Sequence, residues 1–126
     1  MIAVDASVVI PWLNGQRHPE VTALEKALAS SEAALPPVVV TEILSDPTAG
    51  VGLAQALDGF SMLAVQDGYW TRAGALRAKL LAAGRKAKLG DTLAAQACID
   101  AGVPLLTRDK DFEAFAKLGG LKLQKA

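Results

Sequence analysis

Four aspartates in this chain stand near points where one structural element gives way to another, and one glutamate lies inside an apolar run. Asp5 directly follows the apolar run Ile2-Ala3-Val4, Glu42 lies inside the run Val38 to Leu44, and Asp91 opens a helical pattern. Asp109 follows the short apolar run Val103 to Leu106, with Asp111 two residues later. Carboxylates are best tolerated at helix starts, and open α/β sheets place their ligand sites at the carboxyl ends of strands. If Asp5, Glu42, Asp91 and Asp109 converge, their charges repel, and they stay ionised together only around a cation. No histidine or cysteine accompanies them, so the donor set is hard oxygen, which selects Mg²⁺ or Mn²⁺ over zinc. A cation held so polarises a phosphoryl oxygen and acidifies a bound water, so phosphodiester hydrolysis needs no histidine base. One strand-end aspartate is as readily a turn or cap residue as a ligand; four in such contexts shift the balance toward a site. Glu42 strengthens it, because a lone carboxylate in an apolar run is costly to bury unless it meets a cation.

The elements that must position these groups centre on Leu89 to Phe112. From Thr92 the apolar residues Leu93, Ala94, Ala97, Cys98 and Ala101 recur at helical spacing, Gly102 stops the helix, and Val103 to Leu106 reads as a buried strand. Upstream, Ile2 to Val4 is a strand, and Ala6 to Leu13 a helix begun by Ser7. A second helix from Glu20 to about Ser30 has Val21, Leu24, Ala27 and Leu28 on one face. Ala33 to Leu35 is a short strand. In Val38 to Leu44 the β-branched residues favour a strand while Pro37 at a first helical position favours a helix. A short helical segment from Val51 to Leu57 leads to a strand at Ser61 to Val65. The helix from Gly68 to Ala83 carries Trp70, Ala73, Leu76, Leu80 and Leu81 on its apolar side, with Tyr69 and Trp70 read as core or interface packing. Phe112 to Leu118 is a last helix, and Leu121 to Gln124 alternates like an edge strand. The succession predicts a single α/β domain over residues 1–126, a mainly parallel sheet of four to five strands with helices on both faces. Right-handed crossovers then bring the strand-end carboxylates to one edge.

Composition narrows the partners. The 126 residues balance 13 basic against 13 acidic side chains, but unevenly: residues 1–67 hold two basic and eight acidic, residues 68–126 eleven basic and five acidic. Between Asp67 and Asp91 lie Arg72, Arg77, Lys79, Arg85, Lys86 and Lys88 and no acid. Such a strip is either a solvated face or a steering surface for phosphates, and beside acids that do chemistry the second reading places RNA at Arg85, Lys86 and Lys88. The one cysteine, Cys98, on an apolar helix face, reads as a small buried hydrophobe. His18, in the turn before Pro19, reads as a surface residue rather than a base. No apolar run is long enough to span a bilayer, and Asp5 interrupts any signal-peptide core, so a cytoplasmic protein is expected.

Three stretches together resemble the PIN domain, and more narrowly the VapC-type ribonuclease toxins of toxin–antitoxin pairs. They are Met1-Ile2-Ala3-Val4-Asp5-Ala6-Ser7, Thr41-Glu42-Ile43-Leu44, and Leu89-Gly90-Asp91 through Leu105-Leu106-Thr107-Arg108-Asp109-Lys110-Asp111-Phe112. The resemblance covers essentially the whole chain. It implies that Asp5, Glu42, Asp91 and Asp109 form an acidic metal site, with Asp111 an outer-shell or water-bridged ligand and Ser7 and Thr107 orienting the carboxylates. It also implies a helical Glu42 segment, a Mg²⁺-dependent endoribonuclease, a homodimer, and a cognate antitoxin that silences the acidic site. The competing readings are a PIN fold that acts only through protein contacts, or a haloacid-type phosphatase or receiver-like domain. The phosphatase would want an aspartate where Ser7 stands, and the receiver paired acids near the first strand.

Overall fold

The computed structural model describes residues 1–47 and 52–126. Four strands, β1 (Ile2–Val4), β2 (Ala33–Leu35), β3 (Ser61–Met62) and β4 (Leu105–Leu106), form one all-parallel sheet in the order β3-β2-β1-β4. Successive strand residues point to opposite faces, and Ala3 with Val4, Ala33 to Leu35, and Leu105 with Leu106 are all essentially inaccessible. Both faces are therefore covered, as a parallel sheet requires. The helices that cover it are α1 (Ala6–Leu13), α2 (Pro19–Ala29), α3 (Pro37–Leu44), α4 (Leu53–Ala56, running into a 3₁₀ turn Leu57–Gly59), α5 (Tyr69–Ala82), α6 (Leu89–Ala101) and α7 (Phe112–Gly119). The chain steps from β1 outward through β2 to β3, then returns to the other side of β1 as β4. Its direction reverses between β1 and β4, and the crevice at such a switch point is where ligands bind in open α/β sheets. The carboxyl ends that meet there are followed by Asp5 and by Thr107-Arg108-Asp109.

The ambiguous run before Ser45 is helix α3, with Pro37 in its first turn, where a missing N–H costs nothing. On α1 the N-cap is Asp5 rather than Ser7; the Asp5 carbonyl accepts from Val8 and Val9 N–H at 3.2 Å each. The strand expected from Ser61 to Val65 ends at Met62, because β2, its one partner, ends at Leu35 opposite Met62, and Val65 stands 48% exposed beyond it. The edge strand expected at Leu121 to Gln124 reduces to one parallel bridge between Leu123 and Leu105. On α5 the buried stripe is Tyr69, Ala73, Leu76 and Leu80, spaced 4, 3 and 4; Trp70 and Leu81 lie about 100° round from it and are 67% and 50% exposed. The predicted apolar side of α5 was thus one position out for both. Burial runs further round α6 than its spacing predicts, taking in Thr92, Ala95 and Gln96, because α3, α5 and α7 all pack on this helix, while Ala101 at its end is exposed. Of the helical segment expected from Val51, the described part begins at Leu53; Val51 lies outside the described residues.

Candidate metal centre

Two backbone elements bring three carboxylates into one place. Lys88 caps α6, so Asp91 sits in its first turn, and the β4–α7 connection turns Asp109 and Asp111 toward it. One oxygen from each of Asp91, Asp109 and Asp111 lies within 4.8 Å of the other two. The turn is held by its own hydrogen bonds: Asp111 N–H donates to Asp109 Oδ1 at 2.9 Å, and Asp109 N–H to Thr107 Oγ1 at 3.0 Å. Asp111 thus stands with Asp91 and Asp109 in the closest acidic trio among the described residues.

Asp5 adjoins this trio from the β1 side, through hydroxyls. Ser7 Oγ donates to Asp5 Oδ1 at 2.8 Å, lies 3.2 Å from Thr107 Oγ1, and accepts from Arg108 N–H at 2.9 Å. One serine hydroxyl therefore ties the end of β1 to the end of β4. Asp5 is only 6% exposed, and burial pushes its pKa up to about 6, with the negative charge of Asp109 adding to the rise and the Ser7 and Thr107 hydrogen bonds opposing it. Glu42 approaches from α3 over Gly90: a Cβ at Gly90 would stand 3.2 Å from Glu42 Oε2. Its pKa too is raised, by desolvation.

Asp91 carries the strongest signature. Its Oδ2 is buried with no hydrogen-bond partner among the described groups. Its pKa is pushed up to about 6, first by burial, then by the charges of Asp109 and Glu42 and more weakly Asp111, against a lowering by Lys88. A buried acceptor left unsatisfied costs free energy, and nearby carboxylates raise that cost. A hard divalent cation among these oxygens removes both the orphaned acceptor and the repulsion, so the donor set fits such an ion.

The basic strip divides. Arg72 donates two bonds to the Asp100 carboxylate, at 3.0 and 2.7 Å, and one to Asp67 carbonyl at 2.8 Å, tying α5 to α6. Arg77 Nε donates to Ala87 carbonyl at 2.8 Å. These two arginines are structural. Lys86 Nζ lies 3.0 Å from Asp111 Oδ2, and Lys88 acts on Asp91, so both belong to the acidic site, while Arg85 is exposed beside them. Sequence reading missed the Lys86–Asp111 pair, the Arg77 tie and the closeness of Gly90 to Glu42. Of these, only the close approach of Glu42 to Gly90 falls on a residue type, glycine in Leu89-Gly90-Asp91, that the sequence itself marks. Cys98 is buried and its thiol is pushed up to about 12 by burial and by Asp5, matching an inert core position. His18 caps α2, with Nε2 3.4 Å from Gln16 Oε1.

Comparison with known proteins agrees with this geometry. The PIN domain family model matches residues 2–118, and the chain belongs to that family. No curated protein matches it in sequence. Its fold is that of VapBC2 from Rickettsia felis, solved bound to a DNA fragment from its promoter (TM-score 0.77, 18% identity, 98% of each chain covered). It is also similar to a VapBC-family toxin–antitoxin structure, VapBC-5 from Mycobacterium tuberculosis (0.72, 19%, 99% of this chain and 98% of that one). FitAcB from Neisseria gonorrhoeae aligns over 99% of this chain and 97% of its own (0.74, 17%). None of the helices among the described residues is long and apolar enough to cross a membrane.

Proposed function

We propose that the chain is a divalent-metal-dependent endoribonuclease, the toxin of a VapBC-type pair. The observation that carries this is the orphaned, buried Asp91 Oδ2 beside Asp109 and Asp111 at the sheet's switch point. Asp91, Asp109 and Asp111 would hold Mg²⁺ or Mn²⁺, with Asp5 beside them through Ser7 and Thr107 and Glu42 closing the α3 side. When bound, the cation supplies Lewis acidity toward a phosphoryl oxygen and a water acidified toward hydroxide. The chain's own residues do the rest. Ser7 and Thr107 fix the direction of the Asp5 carboxylate, and the Asp111 N–H fixes that of Asp109. Asp5, buried at the end of β1 and held by the Ser7 hydroxyl, is the carboxylate beside the trio that could accept a proton from an attacking water. Arg85 and Lys88 lie beside the site, where cations neutralise backbone phosphates. The partners that go with this reading are an RNA substrate, a cognate antitoxin protein that covers the acidic site, and a second copy of the chain; its setting is the cytoplasm.

The test is cleavage of a panel of structured RNAs, tRNAs included, by antitoxin-free protein with Mg²⁺, Mn²⁺ or EDTA, beside Asp5→Asn prepared identically. Cleavage that requires metal and is lost in the variant supports the reading. Cleavage that survives the substitution would place the chemistry outside this acidic site or in a contaminant, whereas a chain that binds an antitoxin but cuts no RNA under any metal would favour the protein-binding module.

A further inference from the structure

Lys86 occupies a position that its own sequence neighbourhood does not explain. It sits in the loop between α5 and α6, and that loop is pinned on both sides of it. Arg85 N–H donates to Leu80 carbonyl at 2.9 Å, and Ala87, 4% exposed, accepts from Arg77 Nε at 2.8 Å through its carbonyl. The backbone therefore presents Lys86 in a fixed place, and its ammonium lies 3.0 Å from Asp111 Oδ2. Asp111 is one of the three acids whose oxygens lie within 4.8 Å of one another. An ammonium on one of these acids and a metal ion among them compete for the same negative charge.

We propose that Lys86 is a positioning residue for the metal: an internal cation that holds Asp111 in the metal-free protein and is displaced when a divalent ion enters. This rests on the metal-centre reading above. It goes beyond that reading in making metal affinity a property of the α5–α6 loop. Arg77, through Ala87, becomes part of the device although it touches no acid. Lys86 is accordingly not a free phosphate contact in the metal-free state. It becomes available only once the metal has replaced it on Asp111.

The probe is Mn²⁺, titrated by calorimetry or electron paramagnetic resonance into the full chain and into Lys86→Met, Asp111→Asn, the double variant and Lys110→Met. Removing an exposed ion-pair partner should tighten Mn²⁺ binding about two- to fivefold in Lys86→Met. In the Asp111→Asn background the same change should do nothing, because the pair is already gone. A gain of equal size in that background, an equal gain in Lys110→Met, or no gain in Lys86→Met would overturn the exchange and leave the metal centre standing. No Mn²⁺ binding to either wild type or Lys86→Met would overturn both. Should Asp111→Asn bind too weakly to titrate, the Lys86 ε-methylene resonance decides. With saturating Mg²⁺ in the wild type it should move to its position in metal-free Asp111→Asn, and an unmoved resonance refutes the displacement.

Discussion

Replacing Asp91 by asparagine should stabilise the metal-free protein, against the usual result of altering a candidate catalytic residue. The Asp91 carboxyl has its pKa raised from 3.8 to about 6 in the fold. Between those values the folded state binds more protons than the unfolded one, so stability falls as pH rises through this window. Below about pH 4 the penalty is absent, and above about pH 6 it is fully present. Two units correspond to a ceiling of about 3 kcal/mol, which solvent screening of a partly exposed group reduces to about 1–2 kcal/mol. An amide in place of the orphaned oxygen can donate to the neighbouring carboxylates, so the substitution keeps the shape and removes the repulsion. For a domain of this size that is a rise in Tm of about 4–8 °C. The assay is thermal unfolding in EDTA at pH 7.5, 5 and 4, wild type beside Asp91→Asn. The gain should be largest at pH 7.5, about half as large at pH 5, and nearly gone at pH 4. Saturating Mg²⁺ should raise the wild-type Tm far more than that of the variant. A lower Tm for Asp91→Asn in EDTA at pH 7.5, or a gain that does not vary with pH, would refute the account of the site as a strained acidic cluster.

Other consequences are more local. Asp109→Asn should abolish metal-dependent RNA cleavage while leaving the circular dichroism spectrum unchanged, since it removes a candidate ligand charge without removing the Thr107–Asp109 backbone hydrogen bond. Ser7→Ala removes hydrogen bonds to Asp5 and from Arg108 N–H, and should cost about 1–3 kcal/mol in denaturant unfolding. Glu42→Gln removes a charge that acts on Asp91, so Mg²⁺ affinity should fall several-fold with little loss of Tm, and unchanged affinity would place Glu42 outside the site. Arg85→Ala should weaken RNA binding and flatten its salt dependence by about one charge, whereas Arg72→Ala, which breaks a structural pair with Asp100, should chiefly lower stability.

The order of elements was legible because it depends on local patterns. The strand Ile2 to Val4 stops at a charged residue and Gly102 ends α6 with φ +67°, whereas the β-branched run after Pro37 left α3 open between strand and helix. The placement of Asp5 and Asp109 at the same edge of the sheet followed from that order and from the rule of parallel crossovers, whereas the pairing of β1 with β4 that makes them neighbours did not. What stayed hidden depends on three dimensions. Nothing in Gly84-Arg85-Lys86-Ala87-Lys88 distinguishes the lysine that meets Asp111 from its neighbours, because the choice is made by Arg77 holding Ala87 from the preceding helix. The exposed face of Trp70 was misread because a 100° step separates it from the buried stripe, and apolar residues occur on both sides of that step. The short edge strand β3 could not be bounded from sequence, since its length is set by where β2 stops offering partners.

The central claim is hydrolysis by a metal-activated water, and the chemistry of the new RNA ends tests it most directly. RNA cut by the wild-type protein with Mg²⁺ in heavy-oxygen water, followed by mass spectrometry of both products, should show a linear monophosphate carrying one solvent oxygen, and cutting should persist when the scissile nucleotide lacks its 2′-hydroxyl. A 2′,3′-cyclic phosphate, with cleavage lost on the 2′-deoxy substrate, would show that the 2′-hydroxyl and not water is the nucleophile, and would contradict the account.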